Sequence, residues 1–197
     1  MAFVEMVPAE EATGEIAAMY EAEAARRGYV PNYVRAFSAR PAVYRAWGQL
    51  NGAIRANDVR RYELATLAAA RRLRSSYCSL AHGKVLADQF FDTDTVRTLP
   101  DGLDAVDVAV MDLADKVAAD ATSITSADVD QLRQLGLSDA EIVDVVLAAA
   151  ARCFFSKALD ALGVQPDAVY AELEPGLREA LTVGRPIEAA ASAVQRP

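Results

Sequence analysis

Apolar residues recur along this chain at spacings of three and four rather than two, a pattern that predicts helices from end to end. Residues 8–27 read as a first amphipathic helix, with Thr13, Ile16, Met19, Tyr20 and Glu23 at helical spacing and Gly28 to end it. A turn marked by Gly28 and Pro31 leads to a short helix over 32–38. The next helix, 41–57, tolerates Pro41 in its first turn and carries Trp47, Leu50 and Ile54 as an apolar stripe. Asn57-Asp58 offers a cap for a fourth helix over 59–73, with Leu64, Leu67 and Ala68 facing inward. Arg71, Arg72 and Arg74 fall in its last turn, where cations complement the helix dipole. Ser75-Ser76 breaks this helix and caps the next, 77–90.

Residues 92–101 read as a polar loop. Leu103, Val106, Val110, Leu113 and Val117 then mark another amphipathic helix. Its Asp104, Asp107, Asp112 and Asp115 read as a solvated acidic face rather than a metal cluster. Thr125 and Asp128 form a capping-box pattern for a helix ending at Leu135, and Ser138 with Glu141 opens a long one to about residue 162. Small residues in its middle, 147–151, make it a candidate central or subunit-packing helix. A short helix over 166–174 follows, and after Pro175 the composition loosens. No strand alternation and no repeat stand out. The expectation is an all-α fold in one domain, 1–175, with a C-terminal arm or flexible tail over 176–197.

Composition narrows the function. Fifty-three per cent of the 197 residues are hydrophobic, enough for a substantial core. A net charge of −8 argues against nucleic acid and anionic membrane surfaces as partners, which both reward basic patches. Two cysteines make no disulfide framework, the N-terminus is acidic where a signal peptide would be basic, and no apolar run spans a bilayer. These features predict a cytoplasmic protein. With a single histidine there is no multi-histidine metal site, and no haem, flavin or nucleotide motif suggests a cofactor.

The chemistry concentrates in residues 61–86. Cys78 lies four residues before the only histidine, His82, and fifteen after Glu63. If Ser75 is the N-cap, Cys78 sits in the first helical turn, where unpaired N–H groups and the dipole favour a thiolate. His82, one turn further, shares its face and is within reach of the sulfur directly or through a water. An antiparallel hairpin across Ser75-Ser76 would bring Glu63 level with His82, to hold the imidazole in one tautomer. The result would be a carboxylate–imidazole–thiol relay, with the Tyr77 hydroxyl beside it. The same spacing also suits a satisfied buried pair.

Glu63, Ser75, Cys78 and His82, with the phrase Tyr77-Cys78-Ser79-Leu80-Ala81-His82, resemble the signature of the alkylhydroperoxidase D and carboxymuconolactone decarboxylase superfamily. Val30-Pro31-Asn32, the stretch 124–129 and the stretch 135–139 resemble its longer peroxidase-related branch, so the resemblance covers roughly 28–170 with a motif core at 58–90. It implies an all-helical homo-oligomer, with Cys78 as attacking thiol and Glu63 and His82 as proton relay. Ser75 stands where the family has its resolving cysteine, so a peroxidase built this way needs an external thiol reductant. Cys153 could resolve only if the long helix brings it near Cys78, and otherwise reads as a small buried apolar residue.

The favoured expectation is a thiol-dependent oxidoreductase acting on hydroperoxides, with Ser75 or Tyr77 hydrogen-bonding the site. A lyase or hydrolase of the lactone-decarboxylase type would instead use His82 and Glu63 on a small organic acid, drawn by Arg71, Arg72 and Arg74. A third reading is a non-enzymatic redox sensor on the same scaffold.

Overall fold

Every residue from Tyr62 to Ala70 is buried, so the helix that carries them, α4 (Val59–Arg72), has no solvent face over most of its length. The computed structural model describes residues 2–189. Before α4 come α1 (Gly14–Arg27), α2 (Asn32–Ala36) and α3 (Pro41–Arg55). After it come α5 (Ser76–Gln89), α6 (Thr93–Thr98), α7 (Ala105–Asp120), α8 (Ser126–Gln134), α9 (Asp139–Ala161) and α10 (Pro175–Leu181). The described residues contain no strand, in line with the all-α expectation.

α4 packs against α5, α7 and α9 at once. Its Ala65, Ala68, Ala69 and Ala70 are the reason it can: alanine keeps the helix strong and lets neighbouring backbones come close. Leu64 and Leu67 fill the space between, against a core that includes Leu80, Leu86, Val110 and Leu159. The expected central helix, α9, packs on α4 but keeps Val143, Leu147 and Phe154 exposed. The centre therefore belongs to the shorter α4.

Local chemistry sets the helix ends. Asp58 accepts from Arg61 N at the start of α4, and Ser138 and Glu141 cap α9 reciprocally. Gly28 closes α1 at φ 82°, a left-handed conformation that favours glycine.

Several expectations need correction. The first helix starts at Gly14, because Thr13 is extended and a separate 3₁₀ turn occupies Ala9–Glu11. Leu50 points outward at 53 % exposure, while Trp47 and Ile54 of the same stripe are buried. The supposed loop at 92–101 contains α6: Asp92 caps it through Thr95 N, and Val96 anchors it in the core. Residues 168–172 form a 3₁₀ turn rather than an α-helix.

Beyond Pro175 the chain forms α10, which packs on α5 and α6 with Leu177 and Leu181 buried. Residues 183–184 then lie against the α4–α5 turn. Gly184 N donates to Ser76 Oγ at 2.7 Å, and Arg74 Nε donates to Val183 O at 3.3 Å. Residues 190–197 of the expected arm or tail lie outside the described residues.

The arginines of the α4 end are spent on structure. Arg71 donates to Leu99 O and Val96 O at 2.9 and 3.2 Å, and Arg72 pairs with Asp115. In the acidic face of α7, Asp107 is buried against Arg60, and Asp104 caps the helix. No helix of the described residues is long and apolar enough to cross a membrane.

Candidate active site

α4 and α5 form a hairpin, and the pairing puts Glu63 opposite His82. His82 Nδ1–H donates to Glu63 Oε2 at 2.5 Å, which leaves Nε2 as the nitrogen able to accept a proton. The other oxygen, Oε1, accepts from Arg55 Nε of α3 at 3.0 Å. The Glu63 side chain is 2 % exposed and that of His82 14 %, so the imidazole is the part of this pair that meets solvent. Burial alone would raise the Glu63 carboxyl, but His82 and Arg55 outweigh it and hold it below the usual carboxylate range. Burial and the Arg152 charge hold His82 below its ordinary value, against the opposing pull of Glu63. A neutral imidazole oriented by a carboxylate is the form a general base requires.

Ser75 is the N-cap position of α5, and Cys78 is the third residue of the helix, one turn before His82. The thiol is buried. Among the described residues no hydrogen bond joins it to His82. Its hydrogen bond comes from Arg152 Nη1 of α9 at 3.4 Å. Arg152 Nη2 donates to the Tyr62 hydroxyl at 3.0 Å, and that hydroxyl donates to Asn51 Oδ1 at 2.6 Å. The Arg152 guanidinium lies 5.9 Å from the Trp47 ring centre and 5.6 Å from that of Phe155. Tyr62 meets His82 edge to face at 5.8 Å. Cys78, His82, Glu63, Arg152 and Tyr62 thus form one contiguous cluster drawn from α4, α5 and α9, with Arg55 and Asn51 added from α3.

Neither of two residues expected at the site gives its hydroxyl to the sulfur. Ser75 is fully buried and makes no capping bond, and its Oγ has no hydrogen-bond partner; it lies toward Asp160 of α9, whose carboxyl burial pushes up and Ser75 draws partly back down. The Tyr77 hydroxyl donates to Asp167 Oδ2, which also accepts from Tyr29, while Asp167 Oδ1 accepts from Asn32 N at 2.7 Å. Tyr77 fastens the first turn of α5 rather than reaching the sulfur. Cys153 follows Arg152 directly and so faces about 100° around α9 from it. Both cysteines are free, and burial pushes the Cys153 thiol up.

Arg152 was not among the expected residues, although the pattern carried a signal for it. Val145, Ala148, Ala149, Arg152, Phe155 and Leu159 share the buried stripe of α9. A lone arginine on such a stripe is a buried cation and needs a partner. No group of three or more His, Cys, Asp or Glu able to hold a metal ion occurs among the described residues.

No protein-family model matches the chain, and no curated protein matches it in sequence. Solved structures do match it in fold. An uncharacterized peroxidase-related protein with an alkylhydroperoxidase AhpD core, from Ralstonia eutropha, is 21 % identical with a TM-score of 0.76, covering 86 % of this chain and 94 % of its own. An uncharacterized peroxidase-related protein from Silicibacter sp. is 20 % identical with a TM-score of 0.71, covering 86 % and 91 %. The debrominase Bmp8, as a cysteine-to-alanine variant in complex with 2,3,4-tribromopyrrole, is 14 % identical with a TM-score of 0.70, covering 91 % and 95 %. Over nearly its whole length, the chain has the all-helical alkylhydroperoxidase D-type fold.

Proposed function

We propose that this protein is a thiol-dependent oxidoreductase that reduces alkyl hydroperoxides through Cys78. The observation that carries the reading is the 2.5 Å Glu63–His82 pair, one helical turn from the only cysteine on α5. The Cys78 thiolate attacks the terminal peroxide oxygen, the O–O bond breaks, and His82, having taken the thiol proton, returns a proton to the departing alkoxide. Cys78 is left as a sulfenic acid and an alcohol leaves. One external thiol converts the sulfenic acid to a mixed disulfide with loss of water, and a second restores the thiol. The external reductant is needed because Ser75 supplies no second sulfur, and the reading places the protein in a reducing cytoplasm.

The test is consumption of tert-butyl hydroperoxide with dithiothreitol as reductant. Turnover is expected for the wild type, none for Cys78→Ser, and a loss of about a hundredfold or more for His82→Ala. Unchanged turnover in Cys78→Ser overturns the reading. If His82→Ala abolishes an activity that Cys78→Ser spares, the lactone-decarboxylase type of chemistry takes its place.

A second reading, thiol-dependent debromination of an aromatic ring, draws support from the Bmp8 likeness and from the Trp47, Phe155 and Tyr62 rings around Arg152. Bromide release from 2,3,4-tribromopyrrole in the same assay distinguishes the two. The protein further works as a homo-oligomer in this proposal: Val143, Leu147 and Phe154 on α9 and Leu50 on α3 are exposed apolar side chains that a second copy would cover.

A further inference from the structure

Arg152 is a buried cation without a buried anion to match it. The whole residue is 3 % exposed. Among the described residues no carboxylate forms an ion pair with it. Its neighbours are a phenol, two aromatic ring faces and the Cys78 sulfur. Burial also raises the Tyr62 phenol, so Tyr62 is neutral and offers no charge. The Nε–H of Arg152 is buried and has no hydrogen-bond partner. A buried guanidinium left this way is costly unless negative charge arrives beside it. The one neighbour that can become negative is Cys78 Sγ, and it already receives the Nη1 hydrogen bond.

We propose that Arg152 is a catalytic residue: its guanidinium holds the negative charge of Cys78 as the thiolate, and again as the sulfenate that follows oxidation. Two features fit it to this work. It is planar and permanently charged, so it donates to a sulfur or to an added oxygen without moving a proton. It is also held in place: Nη2 is tied to Tyr62 and through it to Asn51, and the guanidinium lies beside the stacked rings of Trp47 and Phe155. When the thiolate attacks a hydroperoxide, the new S–O bond places an oxygen beside the sulfur, where the guanidinium that already donates to the sulfur through Nη1 is the cation next to it. That second role rests on the hydroperoxide reading. The first does not.

The test uses alkylation of Cys78, which involves no peroxide. At neutral pH, Arg152→Met and Arg152→Gln are expected to react with iodoacetamide at least about tenfold more slowly than the wild type, as expected for loss of a hydrogen bond to a charged group. Met is close in length, and replacing a buried charge by an apolar group is often tolerated; a cooperative thermal transition shows which variant has folded. The wild type supplies a measurement independent of both. The ratio of its iodoacetate rate to its iodoacetamide rate should exceed that of free cysteine severalfold, because the buried cation attracts the anionic reagent. A ratio no higher than that of free cysteine overturns the proposal, as does a folded Met or Gln variant that alkylates at the wild-type rate. A wild type that alkylates as expected but ignores hydroperoxides would remove the peroxidase reading and leave the thiolate role of Arg152 standing.

Discussion

Glu63 and His82 meet at 2.5 Å across the α4–α5 hairpin, and the Glu63 oxygen not used there is held by Arg55. Each partner moves the other: Glu63 raises the imidazole, and the imidazole lowers the carboxyl. Glu63→Gln removes a group that raises His82. The acid limb of the pH–rate profile should therefore move to lower pH, while the maximal rate falls about tenfold or more. A merely structural Glu63 would lower the rate and leave the limb in place. Hydroperoxide turnover measured across pH decides between them.

Stability should carry the same signature. His82 is held below its ordinary value when folded, so the unfolded chain binds the proton first as pH falls. The stabilisation from a neutral His82 is present above about pH 6.5 and is lost as pH drops below it. Glu63, also lowered, adds a second loss beneath about pH 4.5. Asp167, raised by burial, acts with the opposite sign and favours the folded state as pH falls. Urea midpoints of the wild type should decline between neutral and mildly acidic pH, and His82→Gln should flatten that decline.

Tyr77 holds the start of α5 through the buried Asp167. Tyr77→Phe keeps the ring in place and leaves that carboxylate short of a donor. The expected cost is about 1–3 kcal/mol in urea denaturation. A midpoint equal to the wild type would mean that Tyr29 and Asn32 suffice for Asp167.

Two glycines should behave differently. A methyl group on Gly184 would stand 1.9 Å from Arg74 O, a backbone atom, whereas one on Gly83 would meet the Leu181 side chain at 2.4 Å. Gly184→Ala must push residues 183–184 off the α4–α5 turn and break the bond to Ser76. Gly83→Ala meets a side chain rather than backbone, and asks the buried Leu181 to shift within the core. Overpacking costs of about 1–3 kcal/mol are expected, with Gly184→Ala at the upper end and Gly83→Ala at the lower. Thermal melts of both variants check the order.

Leu147 lies at 44 % exposure on the outer face of α9. Leu147→Lys should leave the monomer fold intact and reduce the assembled mass seen by light scattering. An unchanged mass would rule this face out as a subunit contact.

The candidate-site residues Glu63, Cys78 and His82 were legible because they are close in sequence on two strongly patterned helices. Spacings of fifteen and four residues, read with a helix break at Ser75-Ser76, are enough to bring Glu63 to His82 once the hairpin is assumed. Arg152 comes from a helix whose contact with α5 no local pattern announces, and its polarity was masked by the alanines around it. Ser75 and Tyr77 were expected to serve the sulfur because they are its neighbours in sequence. A helix turns about 100° per residue, so neighbours face different partners, here Asp160 and Asp167. α6 was missed because a six-residue helix has too few positions to show a period, and only its cap at Asp92 and the buried Val96 mark it. Leu50 looked buried by spacing, yet the stripe it belongs to continues around α3 past the edge of the core.

Gly184 fastens Ser76 from 108 positions further along the chain. A ribosome therefore delivers Glu63, Cys78 and His82 well before the segment that secures the start of their helix. Until residues 183–184 emerge and settle on the α4–α5 turn, that helix lacks its last fastening. The nascent chain thus carries Cys78 about a hundred residues before the contact that fastens the start of its helix, so that stretch of α5 must hold by its packing on α4 until the end of the chain arrives.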